Sequence, residues 1–194
     1  MNVFDFDGTI YNGDSSKDFF FYCLKRYPKI RKKIFPVMLY GAGYGAGYGL
    51  RIVKKLDFKE KLFSFVALID DIDKAVSDFW SEHKKNVKNW YIEKRQPTDI
   101  IISASPEFLL TDFCKALGAE RLMASKVDKK TGKFDGANCH GEEKVRRFYE
   151  LYPDAHIDEF YSDLYCDTPL AKLADKAFIV KGERLLPWNE KKLK

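Results

Sequence analysis

Two aspartates, Asp5 and Asp7, stand two residues apart in DFDGT near the start of the chain. The run before them is apolar and a glycine follows, so a short strand ends here and both carboxylates can reach one edge of a sheet. Two acids at the mouth of an apolar strand are costly to bury unless a cation or hydrogen bonds satisfy them. An Asx turn or helix N-cap at Asp7-Gly8 would also account for them. Ser103 closes the run DIIIS and precedes Ala104-Ser105-Pro106. A hydroxyl beside the free N–H groups of a helix N-terminus makes an anion site, although Ser105 there also reads as a plain N-cap. Lys144 opens a helix in GEEKV, and Asp163 and Asp167 lie in YSDLYCDTPL between an expected strand and helix. Singly these are a surface lysine and a cap.

These residues need a scaffold to bring them together. Short apolar runs at Asn2–Phe6, Asp99–Ser103, Arg121–Val127, Ile157–Tyr161 and Ala177–Val180 predict strands, and DIIIS reads as a strand buried on both faces. Helices are predicted at Pro106–Leu117, with proline in the first turn and Gly118 as the stop, and at Gly141–Leu151 and Thr168–Asp175. Strands alternating with helices imply an α/β fold: a Rossmann-like three-layer α/β/α core around a central parallel sheet.

Residues 14–95 break this alternation. They read as helices at Ser16–Tyr27, Ile30–Leu39, Phe58–Ile69 and Ile72–Tyr91, an all-helical cap inserted after the first strand, with residues 1–13 and 96–194 as the core. The insertion holds 18 Lys and Arg against 10 Asp and Glu, and the rest of the chain 16 against 19. A basic lid over an anionic substrate would raise its local concentration, and solvated helix faces would give the same count. Within the insertion, Ile34–Leu50 carries no charge, has five glycines and repeats YGAG, with bases on both sides. It suits close helix packing, a dimer contact or peripheral contact with a membrane surface, and is a poor transmembrane span.

Composition excludes several classes. The 194 residues carry a net charge of +5, with 45% hydrophobic, 15% aromatic and 32% charged residues. That suits one core with an insertion and argues against global disorder or an integral membrane protein. The opening MNVFDFDGTI lacks the pattern of a secretory leader, and the scattered Cys23, Cys114, Cys139 and Cys166 read as reduced thiols, so a cytoplasmic location is expected, with membrane association left open. No recognition motif accompanies the basic insertion, so no nucleic-acid partner is expected.

In this order, DxDGT, strand-Ser, Lys and SDxxxD, the motifs resemble those of the haloacid dehalogenase superfamily across residues 1–13 and 96–182. The forms SxSPE, GEEK and YSDxxxD look most like its phosphoserine-phosphatase-like branch, whose cap enters at the same point. The resemblance implies a Mg2+-dependent phosphomonoester phosphatase acting on a small phosphorylated metabolite. Asp5 would be the nucleophile that forms an aspartyl-phosphate, and Asp7 the general acid and then base. Ser103 and nearby amides, with Gly8 and Ala104 among the phosphate-binding positions, would hold the phosphoryl oxygens, and Lys144 would neutralise charge. Mg2+ would be held by Asp5, the Asp7 carbonyl and Asp163, with Asp167 orienting waters or Lys144 from behind. Asp14 matches an acid that binds the substrate amine in phosphoserine phosphatases, and equally an N-cap; Arg51 is a candidate substrate cation. A looser similarity to phosphatidylglycerophosphate phosphatases raises a lipid substrate at the membrane surface. A non-catalytic phospho-acceptor or lipid-binding module is the alternative from a different class.

Overall fold

Val3, Phe4, Ile100, Ile101, Ile102 and Phe160 are all fully buried, and successive residues along these runs face opposite sides. Phe4, Ile101 and Tyr161 belong to one hydrophobic cluster, whereas Val3, Ile100, Ile102 and Phe160 belong to another. A sheet with both faces covered needs helices on both, which is the three-layer architecture expected. The computed structural model describes residues 1–32 and 55–189.

Among the described residues, β1 (Asn2–Phe4), β2 (Ile100–Pro106), β3 (Arg121–Ser125), β4 (Ile157–Ser162), β5 (Ala174–Lys181) and β6 (Arg184–Pro187) form one sheet in the order β3-β2-β1-β4-β5-β6. The first five are parallel; β6 returns antiparallel to β5. Val3 pairs with both Ile100 and Phe160, so β1 lies between β2 and β4. Because the three strands run the same way, the segments after Phe4, Ile102 and Ser162 emerge side by side at the carboxyl edge. That is where open α/β sheets bind ligands.

Among the described residues, helices are α1 (Ser15–Arg26), α2 (Lys55–Phe63), α3 (Ile72–His83), α4 (Asn89–Lys94), α5 (Glu107–Ala116), α6 (Glu142–Leu151) and α7 (Thr168–Ala171); residues 28–32 are also helical, and the rest of the helix predicted over Ile30–Leu39 lies outside the described residues. Two of the helices that follow β1 pack on the core through aromatic rings. Trp80 on α3 stacks on Phe113 of α5 at 3.8 Å, and its indole N–H donates to the Leu109 carbonyl at 2.6 Å. Phe4 meets Tyr91 of α4 edge-on at 5.2 Å and stacks on Tyr161 at 4.8 Å. Helix α4 therefore lies on the sheet itself.

Several elements differ from the sequence expectation. The helix predicted over Ile72–Tyr91 stops at His83; a 3₁₀ turn (Lys84–Asn86) and two extended residues precede α4. The backbone there is engaged elsewhere: Asn12 N donates to Asn86 O at 2.8 Å and Lys88 N to Ile10 O at 2.9 Å, with Tyr11 bridged to Val87. The helix predicted over Thr168–Asp175 is only one turn, because Ala174 already pairs with Ile157 and β5 runs the length of β4. Strand β6 was not expected; it follows a tight turn in which Gly182 has φ 62°. The first strand stops at Phe4 rather than Phe6. In the insertion, α2 begins earlier than the predicted Phe58 and ends at Phe63, followed by a 3₁₀ turn over Ser64–Leu68. Residues 34–50, with their Gly/Tyr repeat, and Arg51 lie outside the described residues. Among the described residues, no helix is long and apolar enough to cross a membrane.

Candidate active site

The turn after β1 is built by the Phe6 carbonyl, which accepts from Ile10 N and Tyr11 N, both at 2.9 Å. Gly8 sits in this turn at φ 72°, and a Cβ there would lie 2.1 Å from Asp163 Oδ2. Only glycine allows both the left-handed backbone and the approach of that carboxylate. The chain thus folds back after β1 and sets Asp163, at the end of β4, against Asp7-Gly8. Thr9 secures the junction: its hydroxyl donates to Asp5 Oδ2 at 3.2 Å and accepts from Asp163 N at 2.9 Å.

Helix α6 delivers the lysine. Gly141 precedes it at φ 58°, and Lys144 and Phe148, one turn apart, are the helix's buried residues. Phe148 enters the hydrophobic cluster and Lys144 reaches the carboxyl edge. Its ammonium donates to Asp5 Oδ1 and to Asp167 Oδ2, both at 2.7 Å, and Ser162 Oγ donates to the same Asp167 oxygen at 2.8 Å. Lys144 is only 2% exposed. Burial opposes its charge, but the two carboxylates outweigh burial and hold its pKa above the ordinary value. For Asp5 the balance goes the other way: burial pushes its carboxyl up to about 7 against the pull of Lys144. Two carboxylates thus share one buried cation.

Asp7 lies in different surroundings. Its Oδ1 accepts from Ser15 N at 2.6 Å and its Oδ2 from Ser105 Oγ at 2.5 Å. Burial raises its pKa, and the hydrogen bonds from Ser105 and Ser15 pull it back. Ser105 was expected to cap α5. The structure gives that position to Pro106, with no side-chain cap, and turns the Ser105 hydroxyl to Asp7. Ser103 is fully buried at the end of the apolar part of β2, and its Oγ accepts from Ser105 N at 3.1 Å.

Asp5, Asp7, Gly8, Ser103, Ala104, Lys144, Asp163 and Asp167 therefore gather at one edge. Asp14 does not join them: it is an exposed N-cap whose Oδ1 accepts from Lys17 N at 2.9 Å. Asp167 uses its carboxylate on Lys144 and Ser162, not on a cap. Sequence reasoning missed Thr9, Ser162 and two lysines from the insertion. Lys59 on α2 donates to Ala104 O at 3.3 Å and Asn138 Oδ1 at 2.9 Å. Lys88, buried, donates to the Gly8 carbonyl. No local pattern separates these two from the insertion's other bases. A surface cleft of about 730 Å³ between α1 and α3, lined in part by Tyr22, Arg26 and His83, contains none of the site residues.

The donor set fits a hard divalent cation. Asp163 Oδ1 is buried without a hydrogen-bond partner, a costly state that a cation would relieve. The burial of this carboxyl is partly offset by Lys181 and Lys88; the site residues offer carboxylate and carbonyl oxygens and no thiolate or imidazole, the chemistry that favours Mg2+ over softer metals.

The family model for haloacid dehalogenase-like hydrolases matches residues 3–172. The chain is 35% identical over 92 residues to protein CicA of Caulobacter vibrioides, covering 44% of this chain and 40% of that protein. It is 32% identical over 93 residues to a probable phosphatase of Mycobacterium tuberculosis, covering 44% of this chain and 32% of that protein. The matched stretch spans less than half of either relative. Among solved structures, a protein of unknown function from Bordetella pertussis superposes with a TM-score of 0.71 at 16% identity, covering 92% of this chain and 88% of that one. A phosphoserine phosphohydrolase-like protein from Francisella tularensis gives 0.57 at 18% identity, covering 94% and 88%. These superpositions establish a common fold, and the match over residues 3–172 places the chain in the haloacid dehalogenase-like hydrolase family.

Proposed function

We propose that the protein is a Mg2+-dependent phosphatase that hydrolyses a small phosphorylated metabolite through an aspartyl-phosphate, with residues 14–95 as a cap over a core of 1–13 and 96–194. The observation that carries this reading is that two buried carboxylates two residues apart are held by different partners. Asp5 shares a buried lysine with Asp167, whereas Asp7 is held by hydroxyl and amide donors. Titratable pairs set apart in this way take different roles in one reaction.

In the first step an Asp5 oxygen attacks phosphorus, the Asp5–phosphoryl bond forms and the bond to the leaving oxygen breaks. Asp7 gives that oxygen its proton. In the second step Asp7 takes a proton from water, whose oxygen displaces Asp5 and releases phosphate. Lys144 offsets the negative charge gathered around Asp5, and Ser103 with the amide of Ala104 is suited to hold the phosphoryl oxygens, while the Gly8 amide donates to the Gly13 carbonyl at 2.9 Å. Asp5, the Asp7 carbonyl and Asp163 would hold Mg2+, with Asp167 supporting from behind. The ion, when bound, would lower the repulsion between carboxylate and phosphate.

The test is p-nitrophenyl phosphate turnover with and without EDTA, and with Asp5→Asn. Turnover should vanish on chelation, return with Mg2+ and fall by about 10³ or more in the variant. Metal-independent activity, or a fully active Asn variant, refutes the mechanism.

A further inference from the structure

The Ser105 hydroxyl has no capping duty, yet every hydrogen-bonding position on it is filled. It donates its one proton to Asp7 Oδ2 at 2.5 Å. It accepts from Ser15 Oγ at 3.2 Å, and the Ser16 Oγ lies 2.7 Å away. Since the Ser105 proton is committed to Asp7, Ser16 is the donor in that contact, and the two lone pairs of Ser105 are both used. Ser105 is 4% exposed and Ser15 is fully buried. Ser15 and Ser16 form the first turn of α1, so the partners of this hydroxyl come from the insertion while Ser105 itself comes from β2. Its backbone N–H meanwhile donates to Ser103.

We infer that Ser105 is a positioning residue for the general acid: its hydroxyl, fixed from behind by Ser15 and Ser16, orients the Asp7 carboxylate and supplies the hydrogen bond that this carboxylate gains strength from when its proton goes to the leaving oxygen. The inference rests on the phosphatase reading. A hydrogen bond to a group that becomes ionised during the reaction is stronger in the later state, so it contributes to the barrier of proton transfer. Its contribution grows with the basicity of the leaving oxygen, because p-nitrophenolate departs with little help and phenolate needs a proton.

The test is kcat/KM over a series of substituted phenyl phosphates for the wild type, Ser105→Ala, Ser105→Thr, Asp7→Asn and the Ser105→Ala/Asp7→Asn double variant. Ser105→Ala should lose about tenfold on phenyl phosphate and about twofold on p-nitrophenyl phosphate, steepening the dependence on leaving-group pKa. Ser105→Thr, which keeps the hydroxyl, should restore most of the loss, and Ser105→Ala should add little in the Asp7→Asn background. An equal loss across the series, or an undiminished loss in the Asp7→Asn background, overturns the inference and leaves the phosphatase reading standing. If Ser105→Ala does not fold, Ser16→Ala removes one of the supporting donors, and an unchanged slope in that variant overturns the inference equally. A wild type inactive on every ester overturns both.

Discussion

At the amino edge of the sheet, ligand atoms of His156, Asp158 and Asp175 lie within 4.8 Å of one another. At the carboxyl edge, Asp5, Asp163 and Asp167 gather around Thr9, Lys144 and Ser162. The two groups differ above all in their access to water. His156 Nε2 lies 2.7 Å from Asp175 with both side chains more than 60% exposed, and the Met1 amino group holds the exposed Asp158 carboxyl below its usual range. Burial instead raises Asp5 to about 7 and lifts Asp7 and Asp163. Acids become chemically useful where the fold removes solvent and leaves a few directed partners. Exposed acids remain screened pairs.

The contrast can be broken most severely at Lys144. Replacing it with Ala leaves two buried carboxylates without their cation and should cost about 3–5 kcal/mol in chemical denaturation at neutral pH. A loss below about 1 kcal/mol would mean that water already reaches this edge. Gly8→Ala comes next. The left-handed backbone and the clash with Asp163 should cost about 1–3 kcal/mol, with kcat/KM on p-nitrophenyl phosphate falling as well. A variant as stable and active as the wild type would show that Asp163 moves aside freely.

Glu143 sharpens the comparison because it sits between the extremes. Hydrogen bonds from Arg146, with help from Arg147, bring its pKa down to about 2. The folded value is depressed, so its stabilisation is complete above the unfolded value near 4.5 and disappears as pH falls toward 2. Glu143→Gln should therefore cost about 1 kcal/mol at pH 6 in urea unfolding, and the gap to the wild type should narrow below about pH 4 and close near pH 2. A gap independent of pH would assign the effect to packing. The smallest change is expected at the amino edge, where Asp175→Asn should move Tm by less than about 2 °C.

The sequence carried the fold through its apolar runs. The apolar run at Ile100–Ile102 reads as a strand covered on both faces and Val3-Phe4 as a short strand, and both are buried in the sheet; the place of β1 between β2 and β4 is visible only in the structure. The acids, Ser103 and Lys144 were legible only together, from the order of the motifs, because each alone also fits a cap or a surface lysine. What the sequence hid were partnerships across distance. Residues 84–88 carry helical periodicity, but their backbone groups are captured by residues 10–12, a contact spanning more than seventy positions. Ser105 carries the local signature of a cap, and its hydroxyl is drawn to an acid 98 residues away. Lys59 and Lys88 look like any base in a basic stretch until the fold lays them against Ala104 and Gly8.

The bonding of residues 10–12 to 86–88 has a mechanical consequence. The chain leaves the sheet for the helices through one of these segments and returns through the other, and the two are laced side by side by Asn12–Asn86 and Ile10–Lys88. The tether is a two-ply ribbon, held along its length by backbone hydrogen bonds and the Tyr11–Val87 bridge. Asp7 and Gly8 lie just before this ribbon in the chain, so the backbone that joins the helices to the sheet is continuous with the turn that shapes the acidic site.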